Sequence, residues 1–136
     1  MTKTQHNIFF TIFLLACFIL IFRLEAPARN YIPVIWGILG FGLYGFLLYR
    51  TWMSLNKKLI NEHKADLIRL NIKVYDNQFS KTIDGFAFLR NRKQIAEISD
   101  DIKSMLSYYW TFFRLTMLAF IMFAILGILT VVMTWP

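Results

Sequence analysis

From Leu115 to Trp135 the chain carries no charged side chain, and the same holds from Tyr31 to Tyr49 and from Ile8 to Phe22. A helix crossing a bilayer needs about 20 consecutive apolar residues, because hydrocarbon offers no partner for backbone N–H and C=O groups. The second and third blocks meet that length. The first is short, reaching only about 23 Å at ~1.5 Å per residue. It spans if His6 and Asn7 on one side and Arg23 on the other sit at headgroup depth, with the arginine snorkelling. The expected fold is an all-α integral membrane protein with three transmembrane helices. Residues 1–49 form an N-terminal transmembrane hairpin with spans at about 8–22 and 31–49, residues 50–107 a basic, mainly helical cytosolic segment, and residues 108–136 a C-terminal transmembrane helix.

Charge then orients the spans. The composition, 57% hydrophobic and 18% aromatic, lies outside the ordinary soluble range. A net charge of +7 suits nucleic acid only where the basic residues share a soluble face. Here they flank spans, so topology and anionic lipid headgroups account for them and no nucleic-acid partner is expected. Arg50 to Ser107 holds eleven Lys and Arg against seven Asp and Glu, with Arg50, Lys57 and Lys58 close behind the second span. That bias places the segment in the cytosol. Arg23 and Arg29 with Glu25 give the loop between the first two spans a weaker bias, so it faces outward. The N-terminus is then cytosolic and the C-terminus outside, in a bacterial cytoplasmic (inner) membrane, with the mitochondrial inner membrane as the alternative.

Aromatic rings mark the same boundaries, since they favour headgroup depth. Tyr31 and Tyr49 bracket the second span; Tyr108, Tyr109 and Trp110 precede the third, and Trp135 closes it. Arg114 lies little more than a turn beyond the tyrosines, within snorkelling reach of the interface. Arg50, Lys57, Lys58, Arg114, Tyr108, Tyr109 and Trp110 are therefore the expected contacts with lipid headgroups or a partner.

Lys3, an apolar run and then Leu14-Leu15-Ala16-Cys17 resemble a bacterial lipoprotein signal, and Ala26-Pro27-Ala28 resembles a small-residue cleavage site. A mature lipoprotein continues into a polar tether, whereas Cys17 is followed by Phe18-Ile19-Leu20-Ile21-Phe22. The expectation is a retained first helix with Cys17 as an ordinary packed or lipid-facing residue. A single cysteine excludes an intramolecular disulfide and a cysteine-cluster metal site.

In the second span Gly37, Gly40, Gly42 and Gly45 spread small residues over much of one helix side, where another backbone can approach, within this chain or from a partner. Pro33 suits a first helical turn. From Trp52 to Leu70 the apolar residues Leu55, Leu59, Ile60, Leu67 and Leu70 recur as on an amphipathic helix. Ile95, Ile98, Ile102, Met105, Tyr109 and Phe112 alternate spacings of three and four, which predicts one helix from about Arg92 to Trp135. Between them the period changes. Leu70, Ile72 and Val74 alternate with polar neighbours, as Phe86 and Phe88 do after Asp84-Gly85, which indicates a short β-hairpin or a helix-breaking loop.

No motif carries chemistry. His6 and His63 are far apart without cysteines or spaced carboxylates near them, so neither a metal nor a haem is expected. Asp100 and Asp101 point about 100 degrees apart on a helix and read as solvated charges. There is no P-loop, GxSxG or HExxH, and the spans lack the interior acids and internal repeat of a transporter. The expected function is a small non-catalytic accessory or assembly subunit without cofactor. Its spans pack against other membrane subunits or copies of itself, and its basic segment docks a partner. The alternative is a homo-oligomeric pore or holin-like effector; an enzyme or redox subunit completed by another chain is a third reading.

Overall fold

The computed structural model describes residues 1–77 and 80–134. It is mostly helical, and three helices are long and apolar enough to cross a membrane: α1 (Lys3–Arg23), α2 (Ala28–Glu62) and α6 (Asp100–Thr134). Helix α1 is longer than its apolar block because Thr2 and Gln5 form a capping box. Thr2 N–H donates to Gln5 Oε1 at 2.7 Å, and Gln5 N–H to Thr2 Oγ1 at 3.2 Å. The 21 residues of α1 reach about 31 Å at ~1.5 Å each, which removes the length deficit of Ile8–Phe22. Helix α2 is built in stretches: a 3-10 turn at Ala28–Tyr31, α-helix at Ile32–Trp36 with Pro33 in its first turn, a π-helical turn at Gly37–Gly42, and α-helix again over Leu43–Glu62. Trp135 lies outside the described residues.

The chain divides into two compact units, Met1–Leu48 with Thr111–Pro136 and Tyr49–Trp110. In the first, Cys17 and Ile21 of α1, Trp36 and Tyr44 of α2, and Leu115, Ala119 and Leu126 of α6 are buried. The α1 and α6 chains run the same way, because Arg29 reaches both of their C-terminal ends. Its Nε donates to Leu24 O at 2.9 Å and its Nη1 to Met133 O at 3.0 Å. Helix C-termini leave carbonyls without intrahelical partners and carry partial negative charge, which a guanidinium satisfies on both counts.

The second unit closes a core of Leu55, Leu59, Leu67, Ile72, Ile83, Phe88, Ile95, Ile102 and Leu106. The amphipathic stretch predicted over Trp52 to Leu70 breaks at His63, giving the end of α2 and a short α3 (Lys64–Arg69). Helix α3 ends in a Schellman motif, with Asn71 N–H on Ile68 O at 3.0 Å and Ile72 N–H on Leu67 O at 2.9 Å. Asn71 sits at φ 53°, a left-handed conformation that Asn tolerates better than other side-chain-bearing residues. A hairpin follows, β1 (Val74–Asn77) antiparallel to β2 (Ser80–Ile83), in the register Val74 with Ile83 and Asp76 with Lys81.

Two expectations are corrected here. Phe86 and Phe88 are helical, in α4 (Gly85–Arg90), because Asp84 Oδ1 accepts from Phe86 N–H at 2.9 Å and Ala87 N–H at 3.2 Å and so caps a helix. Two residues apart on a helix, they face different ways: Phe88 is 1% exposed and Phe86 87%. The helix expected from Arg92 to Trp135 is interrupted, with α5 (Arg92–Ala96) ending before α6 begins at Asp100. Ser99 Oγ accepts Ile102 N–H at 3.2 Å, and Asp100 and Asp101 occupy the first turn. These start signals interrupt an apolar period that runs through the break.

Candidate functional site

The first unit is organised around Trp36, which is fully buried. Its indole N–H donates to the backbone carbonyl of Ala119 in α6 at 2.8 Å. A buried indole N–H needs an acceptor, and a helical carbonyl retains a second lone pair to offer one. Phe13 of α1 stacks on the ring at 5.3 Å between centroids, and Phe10 meets it edge-on at the same separation. The four predicted packing glycines divide around this ring. A Cβ on Gly40 would lie 2.9 Å from Trp36 ring carbons, so the indole rests on bare backbone one turn along its own helix. A Cβ on Gly37 would lie 3.1 Å from the Phe123 ring of α6. Gly42 meets only the Gly37 carbonyl, at 3.5 Å, and at Gly45 there is nothing within 4 Å among the described residues. Gly37 and Gly40 therefore serve packing inside the chain, while Gly42 and Gly45 leave helix backbone uncovered among the described residues, next in sequence to exposed Phe41 and Phe46.

Toward the N-terminal end of α1, Tyr44 is buried and its hydroxyl donates to His6 O at 3.0 Å. The His6 ring lies edge-on to Phe112 at 5.0 Å and to Tyr44 at 6.1 Å. Arg114 is exposed, with Nη2 3.5 Å from Asn7 Oδ1.

The other predicted interface residues belong to the second unit. Arg50 and Lys57 are exposed. Lys58 pairs with Asp101 at 2.8 Å and approaches Glu62 at 3.9 Å. The Asp101 hydrogen bond holds the Lys58 ammonium above its ordinary range, and Lys58 holds the Asp101 carboxyl below its own. Both groups are solvated, so the pair contributes little to stability. Tyr109 packs with Trp52, Phe88 and Trp110 at 5.6, 5.9 and 5.3 Å, and Arg92 lies 5.6 Å from the Trp110 ring centre. Tyr108 is half-buried. Tyr109 and Trp110, expected at headgroup depth, thus pack against the core of this unit.

One polar residue that sequence reasoning missed is Asn56 of α2, only 2% exposed. Its Oδ1 accepts Ile83 N–H at 3.2 Å and so occupies the outer edge of β2 as a neighbouring strand would. That bond fixes the amide orientation, since Nδ2 cannot accept. Nδ2 has no hydrogen-bond partner among the described residues. An orphaned buried amide costs roughly 1–3 kcal/mol. Its only trace in the sequence is a polar residue between the core positions Leu55 and Leu59. Among the described residues no three His, Cys, Asp or Glu come together as a metal site would require.

No family model, curated protein or solved structure matches the chain.

Proposed function

We propose that the protein is a small non-catalytic accessory or assembly subunit of a larger membrane protein complex. It lies in a bacterial cytoplasmic membrane with its N-terminus cytosolic and C-terminus outside. The observation that carries this reading is the uncovered backbone at Gly42 and Gly45. Packing within the chain takes up Gly37 and Gly40, while a side chain at Gly45 would meet nothing within 4 Å. Bare helical backbone bordered by large rings is the surface on which a second helix gains close van der Waals contact in lipid, where burial of apolar area provides no drive. The basic residues of segment 50–107, Arg50 and Lys57 among them, attract anionic headgroups and acidic partner surfaces.

The test is mild-detergent purification of a crosslinked, tagged chain, with the mass of the intact assembly determined. Unlike subunits in fixed ratio are expected, and Gly45→Leu releases them while leaving the three-helix unit folded. A closed ring of this chain alone, conducting ions in planar bilayers, overturns the reading in favour of a pore or holin-like effector.

A further inference from the structure

Helix α4 leaves its largest apolar side chain in the open. Phe86 is 87% exposed, and Leu89, three residues on and so on the same helix face, is 46% exposed. With Gly85 they border a groove of about 340 Å³ whose other walls are Phe88, Trp52 of α2 and Tyr109 of α6, so no charged side chain lines it. Phe88 fixes the place of α4 along the two long helices, since its ring meets Trp52 at 5.0 Å and Tyr109 at 5.9 Å. Trp52 lies three residues past Tyr49, where one charge-free block ends, and Tyr109 lies six before Leu115, where the next begins. Counted along each helix, these rings are about 5 and 9 Å from the blocks. Lys58 and Asp101, which pair with each other, lie about 14 and 21 Å away by the same count. The Trp52, Phe88 and Tyr109 layer therefore falls at headgroup depth where those blocks cross a bilayer. Charge gathers at the same level. From Gly85 to Ala96 the chain carries Arg90, Arg92 and Lys93 and no Asp or Glu. All three are exposed, and Arg92 lies 5.6 Å from the Trp110 ring centre.

We propose that α4 is an interfacial membrane anchor. Phe86 and Leu89 enter the boundary between headgroups and acyl chains of the bilayer that the spans cross, and an acyl chain fills the groove beside Trp52 and Tyr109. Lipid is the occupant that level and charge select together. Aromatic rings favour that depth, and arginine and lysine stems lie along it while their charged ends reach anionic phosphates. A helix of six residues is too short to hold itself on a membrane, but Phe88 in the core and the Asp84 cap fix α4 before lipid is met. Phe86 is thus presented ready for insertion. The proposal rests on the membrane reading above and not on any partner at Gly45.

The full chain, with Cys17→Ala so that a single thiol is labelled, is placed in nanodiscs of phosphatidylcholine and phosphatidylglycerol. Nitroxides are attached in turn through Phe86→Cys, Leu89→Cys, Lys103→Cys and Ile38→Cys, all exposed positions whose replacement spares the cores. Collisions with oxygen, which concentrates in lipid, are compared with collisions with a water-soluble nickel chelate. The labels at positions 86 and 89 should favour oxygen as the one at 38 does, and the label at 103 should favour nickel. Phe86→Glu should shift the label at position 89 toward nickel, a loss of lipid contact that mere closeness to the surface does not produce. Water-like readings at 86 and 89 beside a lipid-like reading at 38 overturn the anchor, leave the spans standing and free the face for a protein partner. A water-like reading at 38 overturns the membrane reading and the anchor with it. A lipid-like reading at 103, or no shift at 89 in Phe86→Glu, also overturns the anchor, the first by showing that the label itself draws the chain into lipid.

Discussion

Around Trp36 the first unit fits large rings against glycine and alanine backbone, while around Leu55 and Phe88 the second buries aliphatic and aromatic side chains and caps α4 with Asp84. Apolar side chains cover the exterior of the first unit, with Ile12, Ile19, Ile38, Phe46, Ile128 and Val132 all exposed. Its interior is distinguished by shape and by a few polar ties: Trp36 to Ala119, Tyr44 to His6, and Arg29 to two helix ends. The second unit gathers its buried apolar residues into one cluster and carries most of the chain's charged side chains. The contrast is the one that a lipid-facing and a water-facing unit would show. In water each buried Å² of apolar surface is worth about 25 cal/mol. In lipid that gain vanishes, and helices associate through close fit and satisfied hydrogen bonds. Placing the first unit in a membrane makes its economy of small residues intelligible.

The largest effect is expected at Phe88, where burial drives folding. Phe88→Ala should cost about 3–5 kcal/mol and leave the Tyr49–Trp110 unit without protection in amide hydrogen exchange. Gly40→Leu should come next, at about 1–3 kcal/mol, because its side chain collides with the Trp36 ring. Thermal melts in detergent should place it well below Gly45→Leu, and equal melting temperatures for the two would break the account of the first unit as one held by fit. Asp84→Ala should cost about 1 kcal/mol by removing the cap of α4, seen as a lower denaturation midpoint for the second unit alone. Loss confined to the first unit would show that the two are not separately organised.

The smallest effect is expected from the Lys58–Asp101 pair. Asp101 titrates below its ordinary value in the folded chain, so its contribution is present above about pH 4, the unfolded carboxylate range, and is lost as pH falls through the folded value. Lys58 titrates above its ordinary value, so its contribution holds below about pH 10.4 and is lost as pH rises through the folded value. A small fall in melting temperature on acidification below pH 4, absent in Asp101→Asn, checks the sign. A rise would reverse it.

Parts of the candidate site are legible in the sequence. The positions of the glycines and of the basic residues follow from residue type alone, but which glycines face inward does not. Gly40 differs from Gly45 only because a tryptophan four residues earlier lays its ring across one of them. Asn56 was illegible for a related reason, since its role depends on Ile83. The Phe86 and Phe88 alternation misled because a period of two over three residues does not separate strand from helix. The Asp84 cap decides between them.

By itself, then, the sequence determined three helices with the length and apolarity to span a membrane and the basic stretch between the last two, because apolar runs and charge counts are local properties of the chain. Tertiary structure decided the rest. It extended α1 through a cap, broke α6 from α5 at Ser99, seated Trp36 on Gly40 and Ala119, and turned Arg29 from a loop charge into a tie between two helix ends. Each depends on a hydrogen bond or a steric contact; the caps are local, while the Trp36–Ala119 and Arg29–Met133 bonds join partners that meet only when the helices pack.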